Sequence, residues 1–200
     1  MYEHFWKRAF DILLSVIGLV LLSWLFALIA IMIVIDDPGP IIFKQKRVGI
    51  HKSIFYIHRY RSMKTGSPMD VPTHLMSDPS RYTTKVGRFI RKTSLDELPQ
   101  LWDILCGKMS LIGPRPALWN QDDLIAERDK YHANDVKPGL TGWAQINGRD
   151  ELDIPAKAAM DGFYAKKLKA GGWAAFFFDC SCFFQTFYTV LAQDGIQKET

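Results

Sequence analysis

From Ile12 to Ile35 the chain carries no charged side chain, and no other feature narrows its possible folds so far. Read as one helix, about 24 residues extend about 36 Å at about 1.5 Å per residue. That is enough for a hydrocarbon core about 30 Å thick. Lys7-Arg8 would also suit the basic start of a cleaved signal peptide, but such a peptide has a shorter apolar stretch and a small-residue cleavage site. Here the run ends in Asp36-Asp37-Pro38-Gly39-Pro40, which stops a helix.

Basic residues flank the run on both sides. Lys7 and Arg8 precede it; Lys44, Lys46, Arg47, Lys52, Arg59, Arg61 and Lys64 follow it. Because basic flanks stay on the cytoplasmic side, a helix that enters, bends and returns to the same face satisfies both ends. Gly18 and Ser23 are the candidate bend positions, and the run contains no proline. Asp11, four residues after Lys7, is placed to pair with it.

The remainder is polar enough for one catalytic unit. Net charge is +4, from 25 basic and 21 acidic residues, too mild for a nucleic-acid binder and better matched to phosphate substrates and anionic head groups. The odd cysteine count (Cys106, Cys180, Cys182) implies reduced thiols. Cys180 and Cys182 aim at different helix faces, and the histidines are scattered, so no structural metal site is expected.

Ile41–Val48 and Ser53–Tyr60 alternate like two strands of a hairpin around residues 49–52. Thr65 to Thr84, with Gly66, Pro68, Pro72 and Pro79, reads as a loop. A helix is expected from an N-cap at Ser94, with Asp96 and Glu97 in its first turn. Leu98, Leu101, Trp102 and Leu105 would then face inward. Another helix is expected from about Ala117 to Tyr131, and a loop from Val136 to Arg149. Trp173–Ala192 is dense in aromatic residues with Asp179 near its middle. A charge at mid-bilayer costs at least about 2.5 kcal/mol, so an interfacial helix fits better than a second span; a buried core helix is the alternative.

Three clusters carry chemistry. Arg91-Lys92-Thr93-Ser94-Leu95-Asp96-Glu97-Leu98-Pro99-Gln100 offers adjacent carboxylates, which point about 100° apart on a helix and so divide labour rather than share a proton. A hard cation such as Mg²⁺ takes such oxygen ligands together with substrate phosphates. Gly113-Pro114-Arg115-Pro116 holds a guanidinium, suited to forked recognition of phosphate, between two stiff residues. Lys137-Pro138-Gly139-Leu140-Thr141-Gly142-Trp143-Ala144-Gln145-Ile146-Asn147-Gly148-Arg149 adds glycines, amides and another arginine. Each alone reads as a helix start or a tight turn; together they describe a site for an anionic substrate beside a membrane anchor.

These stretches resemble the bacterial sugar transferase family, the monotopic phosphoglycosyl transferases that start bacterial glycan assembly. The matching residues run in order through Lys7-Arg8…Asp11, Phe43…Gln45…Arg47…Gly49 and Arg59-Tyr60-Arg61-Ser62-Met63. They continue through Ser94–Leu101, Met109–Pro116 and Pro138-Gly139-Leu140-Thr141-Gly142 to Gly148-Arg149. The length is similar to that of the minimal, single-domain members. The resemblance implies a mainly helical α+β fold. Residues 1–36 would form a re-entrant membrane helix. Residues 37–200 would form a catalytic domain on the cytoplasmic face of the bacterial inner membrane, with a small β-hairpin and interfacial amphipathic helices, the aromatic one near 173–192.

The resemblance also implies a reaction. Asp96 would attack the β-phosphate of a UDP-sugar, expel UMP and hold the phosphosugar until polyprenyl phosphate collects it, with Mg²⁺ as cofactor. Asp96 and Glu97 would be the metal ligands, Glu97 acting as metal partner or proton acceptor. Arg91, Arg115, Arg149 and Arg59 are the phosphate-contact candidates; Gln145, Pro114 and Pro116 would line the nucleotide-sugar site. Membrane lipids, and downstream glycosyltransferases, are the other implied partners. The family commonly has Ser-Pro at the bend, where this chain has Ser23-Trp24, so the kink is less strongly imposed here. Two other classes remain in view: a membrane protein that only binds polyprenyl phosphate, and an enzyme that transfers the sugar alone and releases UDP.

Overall fold

The computed structural model describes residues 2–67, 79–148 and 152–192. It is mostly helical, with a small antiparallel hairpin and one parallel strand pair. After a π-helical turn over Tyr2–Trp6, the uncharged run forms two helices, α1 (Lys7–Leu21) and α2 (Ser23–Asp36), bent by 61° at Leu22. No single helix among the described residues is long and apolar enough to cross a membrane. Leu22 leaves helical geometry (φ −94°, ψ 6°) while its N–H still reaches the Gly18 carbonyl.

Packing by the rest of the chain accounts for the bend. α1 lies against the helix α5 (Gln100–Leu105), and at Gly18 an added Cβ would sit only 3.0 Å from Leu101 Cδ1. α2 is drawn aside onto Tyr60 and Ile90, where Ile29 and Ile33 are buried. The Tyr60 hydroxyl donates to the Phe26 carbonyl at 3.0 Å. Gly18 therefore serves close approach, and Ser23 and Trp24 start the second helix exposed.

Both ends of the pair are tied to one body. Arg8 donates to the Ile104 and Leu105 carbonyls at the end of α5. Lys7 does not pair with Asp11. Its Nζ reaches Asp179 Oδ2 at 2.8 Å, while Asp11 accepts from Ser110 Oγ and the Leu111 N–H. Burial makes the difference: a carboxylate that takes two protein donors needs no ammonium, and Lys7 finds Asp179. At the far end Asp37 accepts from Arg61, and Asp36 accepts the Val86 N–H.

The hairpin forms where alternation places it: β1 (Ile42–Val48) pairs antiparallel with β2 (Ile54–Tyr60). Next come the short helix α3 (Pro79–Tyr82), which takes up part of the expected loop, and α4 (Lys85–Lys92), capped by Thr84. The rest of that loop, residues 68–78, lies outside the described residues. The expected helix 117–131 shortens to α6 (Asp122–Asp129), since Leu118 and the turn after it are spent on the hairpin edge at Arg47.

The stretch Val136–Arg149 is not all loop. It contributes β4 (Gly139–Thr141), parallel to β3 (Ser110–Ile112), and the short helix α7 (Trp143–Ile146). At Gly139 a Cβ would meet Gly113 N at 2.1 Å, so this close main-chain pairing requires glycine there.

α8 (Ile154–Ala170) and α9 (Gly172–Ala192) close the core around Tyr164, Ile104 and Met109. One face of α9 is buried through Ala175, Asp179 and Cys182; the opposite face exposes Trp173, Phe177, Phe184, Phe187 and Tyr188. Asp179 sits inside the protein, accepting from Lys7, Tyr2 and Tyr164. Its charge therefore reflects a core network: the core reading of this helix holds for the face that carries Asp179, while the opposite face leaves its aromatic rings exposed.

Candidate functional site

Ser94 makes no side-chain cap and does not start α5. It adopts the left-handed conformation (φ 56°) and starts a 3₁₀ turn over Leu95–Glu97; the helix α5 begins only at Gln100, after Pro99. The shift follows from Pro99, whose missing N–H suits a helix entry rather than an interior. It also turns the expected inward face: Leu101 and Ile104 are buried with Gln100 and Asp103, whereas Trp102 is exposed and Leu105 only part-buried. Asp96 and Glu97 thus lie on a tight turn between two helices, beside β2.

The two carboxylates meet different surroundings. Asp96 is only 6% exposed, with Arg59 Nη1 3.6 Å from its Oδ2. Glu97 Oε1 accepts from Arg59 Nη2 at 2.6 Å and from Arg115 Nη2 at 2.8 Å. Burial pushes the Asp96 carboxyl up to about 6; Arg59 pulls it down, Glu97 pushes it up, and Arg91 and Arg115 pull it down less. Asp96 is thereby a poorly solvated carboxylate whose negative charge faces the Arg59 guanidinium at 3.6 Å, within the field of Arg91 and Arg115. Glu97 is the residue that organises two of them.

Arg115 is held from behind. Arg128 is clamped by the wholly buried Asp161 at 2.8 Å (Nε) and 2.5 Å (Nη2) and donates to the Arg115 carbonyl at 2.9 Å. Arg47 donates to the Pro116 carbonyl at 3.0 Å and to Gln45 Oε1 at 2.6 Å. Burial first, then the Arg59 and Arg115 guanidiniums, hold Arg47 well below its ordinary value, so it belongs to the same positive field. Its Nε is enclosed without a hydrogen-bond partner among the described residues. Sequence reasoning placed Arg47 in a matching stretch but assigned it no role; the signal was the Gln45/Arg47 spacing of two, which puts both on one face of a strand. Arg128 and Asp161, on separate helices, leave no such local pattern.

Gln145 lies in α7, beside the Gly113–Pro114 main chain that pairs with Gly139 and Thr141. Its side chain is buried, and neither its oxygen nor its nitrogen has a hydrogen-bond partner among the described residues. An amide enclosed in that state costs free energy unless a ligand completes it. A Cβ at Gly142 would come within 3.1 Å of Gln145 Oε1, so the glycine keeps the space beside the amide open. Pro114 and Pro116 flank Arg115 on the same extended segment. Arg149 lies outside the described residues.

No group of three or more His, Cys, Asp or Glu side chains able to hold a metal occurs among the described residues. Asp96 and Glu97 offer a hard cation carboxylate oxygens only, the donor type Mg²⁺ takes when substrate phosphates and water complete its shell. The donor chemistry fits a shared metal rather than a caged one.

The family model described as bacterial sugar transferase matches residues 2–193. The chain is 37% identical over 192 residues to the uncharacterized sugar transferase EpsL of Bacillus subtilis (strain 168), covering 96% of this chain and 90% of that one. It is 42% identical over 160 residues to the UDP-glucose:undecaprenyl-phosphate glucose-1-phosphate transferase of Escherichia coli (strain K12), covering 76% of this chain but 33% of that one. It is 36% identical over 207 residues to the undecaprenyl-phosphate galactose phosphotransferase of Salmonella typhimurium (strain LT2), covering 96% and 42%. The chain therefore spans nine-tenths of the Bacillus protein and less than half of the other two.

Proposed function

Because the chain belongs to the bacterial sugar transferase family, we propose that it moves a sugar phosphate from a UDP-sugar to polyprenyl phosphate and releases UMP. The observation that carries this reading is the Asp96 carboxyl. It is buried, pushed up to about 6, and faced by Arg59, Arg91 and Arg115 beside a second carboxylate that orders them. A desolvated carboxylate is a stronger nucleophile than a hydrated one, and cations around it suit a donor that arrives with two phosphates.

In the proposed sequence, Asp96 Oδ attacks the β-phosphorus. The bond from that phosphorus to the bridging oxygen breaks, and UMP leaves with the electron pair. A polyprenyl phosphate oxygen then attacks the same phosphorus and restores the Asp96 carboxylate. Arg59 and Arg115, fixed on Glu97, neutralise the equatorial oxygens. Arg91, at the end of α4, adds to that field, and Arg149 is the remaining phosphate-contact candidate. Gln145 holds the nucleotide or sugar through its enclosed amide, with Pro114 and Pro116 stiffening the wall. Mg²⁺, held by Asp96 and Glu97, would supply positive charge at the phosphate oxygens.

The same reading puts the α1–α2 pair in the membrane as a re-entrant element, entering and leaving on the cytoplasmic face of a bacterial inner membrane. Two facts support it: the 61° bend, and the tethering of Lys7, Arg8, Asp36 and Asp37 to one body. The exposed rings of α9 would lie among lipid head groups. Residues 1–36 are then the membrane unit and 37–200 the catalytic one.

The test is nucleotide release from the purified chain with Mg²⁺, polyprenyl phosphate and a panel of UDP-sugars, beside Asp96→Asn. UMP from the unaltered chain and none from the variant is the expected result. UDP release, or no reaction with any donor, overturns the assignment.

A further inference from the structure

Asp103 is a wholly buried carboxylate that the proposed reaction does not use. It lies on α5, seven residues after Asp96, and both of its oxygens go to one residue of β2. Oδ2 accepts the His58 main-chain N–H at 2.8 Å, and Oδ1 stands 2.8 Å from the His58 ring Nδ1. The hairpin has two strands, and β2 pairs with β1 along one edge, His58 opposite Lys44. The His58 N–H leaves by the other edge, where a main-chain donor enclosed by protein needs an acceptor. A buried carboxylate needs donors equally. The contact satisfies both groups and pins α5 to β2.

The residue after His58 is Arg59. Successive strand residues point to opposite faces, so the turn and helix of residues 95–105 reach side chains from both faces of β2. Asp103 meets the His58 ring, and Glu97 Oε1 accepts from Arg59 Nη2 at 2.6 Å. Between its Cα and that head the Arg59 side chain has no polar anchor, since Nε is enclosed without a hydrogen-bond partner among the described residues. Where the guanidinium stands therefore depends on where β2 sets the Arg59 main chain. Asp103, on the same stretch as Asp96 and Glu97, fixes that main chain relative to them. Arg59 Nη1 stands 3.6 Å from Asp96 Oδ2, a separation that slippage of the strand would change directly.

We propose that Asp103, acting through His58, is a positioning residue that locks β2 against residues 95–105 and so places the Arg59 guanidinium where a donor phosphate meets it. The inference rests on the reading of Arg59 as a phosphate contact, and it gives Asp103 and His58 no contact with substrate. The pair acts by hydrogen bonding. An asparagine at position 103 can accept the His58 N–H through its oxygen and donate through its amide nitrogen to Nδ1 of the other imidazole tautomer. An alanine leaves both donors unanswered.

The experiment is a double-mutant cycle on binding. The probe is the methylene-bridged analogue of UDP, which carries both phosphates and cannot be cleaved between them; its Kd is measured by calorimetry on the full chain in mild detergent with Mg²⁺. Arg59→Gln should weaken the probe about tenfold, the scale of a hydrogen bond to a charged group. Asp103→Ala should weaken it about fivefold alone, but by less than about twofold once Arg59→Gln is present. A merely structural role would lower the competent fraction by the same factor in both backgrounds. His58→Phe removes only the ring and should cost about threefold, again only with Arg59 in place; it carries the test if Asp103→Ala does not fold. Asp103→Asn should bind within about twofold of the unaltered chain. The proposal is overturned if Arg59→Gln leaves the affinity unchanged, or if Asp103→Ala and His58→Phe bind like the unaltered chain. It is equally overturned if their losses persist without Arg59, or if Asp103→Asn is as weak as Asp103→Ala. None of these readouts involves turnover. A chain that passes the cycle yet releases no UMP refutes the Asp96 reaction alone, and UMP release with an additive cycle refutes this inference alone.

Discussion

The electrostatics of Asp96 make a signed prediction about two of its neighbours. With the carboxyl pushed up to about 6, the rate of UMP release in a single turnover without acceptor should fall about tenfold per pH unit below that value. The acceptor must be left out because a phosphate monoester itself titrates near pH 6. Arg59 Nη1 stands 3.6 Å from Asp96 Oδ2. At that distance two unit charges interact by about 1.2 kcal/mol at water's dielectric and by about 4.6 kcal/mol at an effective value of about 20. Arg59→Gln should therefore move the midpoint of the profile alkaline by at least about one unit, since one unit is about 1.4 kcal/mol. At pH 6.5 that shift alone leaves about a third of the ionised carboxylate. Glu97→Gln removes a negative neighbour and should move the midpoint toward acid, by less than Arg59→Gln moves it the other way. Arg59→Lys keeps the charge and should stay near the original. The assay is quench-flow measurement of UMP between pH 5 and 8.5. Shifts of the same sign for Arg59→Gln and Glu97→Gln, or an unmoved midpoint in both, would refute the argument that these groups set the ionisation of Asp96.

Three further outcomes are expected. Asp96→Asn should abolish UMP release yet raise the thermal midpoint at pH 7.5, by about 1–3 kcal/mol of stability, because the folded carboxyl lies above its ordinary 3.8. A raised value means that stability falls as pH rises from about 3.8 to about 6, so the variant's advantage should vanish below about pH 4, and a variant no more stable at pH 7.5 counts against burial as the cause. Asp179→Asn leaves Lys7 buried without its ion-pair partner and should cost about 3–5 kcal/mol; Lys7→Met/Asp179→Leu should recover most of it in the same denaturation experiment. At Gly139→Ala the new methyl would lie 2.1 Å from Gly113 N, so the Gly113–Arg115 segment must shift. UMP release should drop by about a hundredfold, the scale set by displacements of about 1 Å, with the fold retained in far-ultraviolet circular dichroism.

What could be read in the sequence and what could not divides along physical lines. The hairpin was legible because strand alternation is local: Ile54 and Tyr56 are exposed while Ile57 is buried. The uncharged run was legible as an apolar element. Its bend was legible to within a residue, at Leu22 beside the candidate Ser23; the packing that accompanies it was not, since Tyr60, Ile90 and Leu101 lie far along the chain. Asp96, Glu97 and Arg115 came together because a turn and an extended segment carry them, and Arg59 joined from β2. The helix start at Ser94 misled because Pro99 moved the true start to Gln100. Lys7 and Asp11 have the spacing of a helical pair, yet each found a buried partner about 100 residues or more away. Arg128 with Asp161, and the second role of Arg47, rest on contacts between elements that no short spacing encodes.

The most direct test of the central claim is intact-mass spectrometry of the chain after incubation with a UDP-sugar and Mg²⁺ but no polyprenyl phosphate. The account predicts one added phosphosugar on the unaltered chain, mapped by proteolysis to Asp96 and discharged when polyprenyl phosphate is added. Stoichiometric UMP release with an unmodified Asp96, or an adduct that persists in Asp96→Asn, would contradict it.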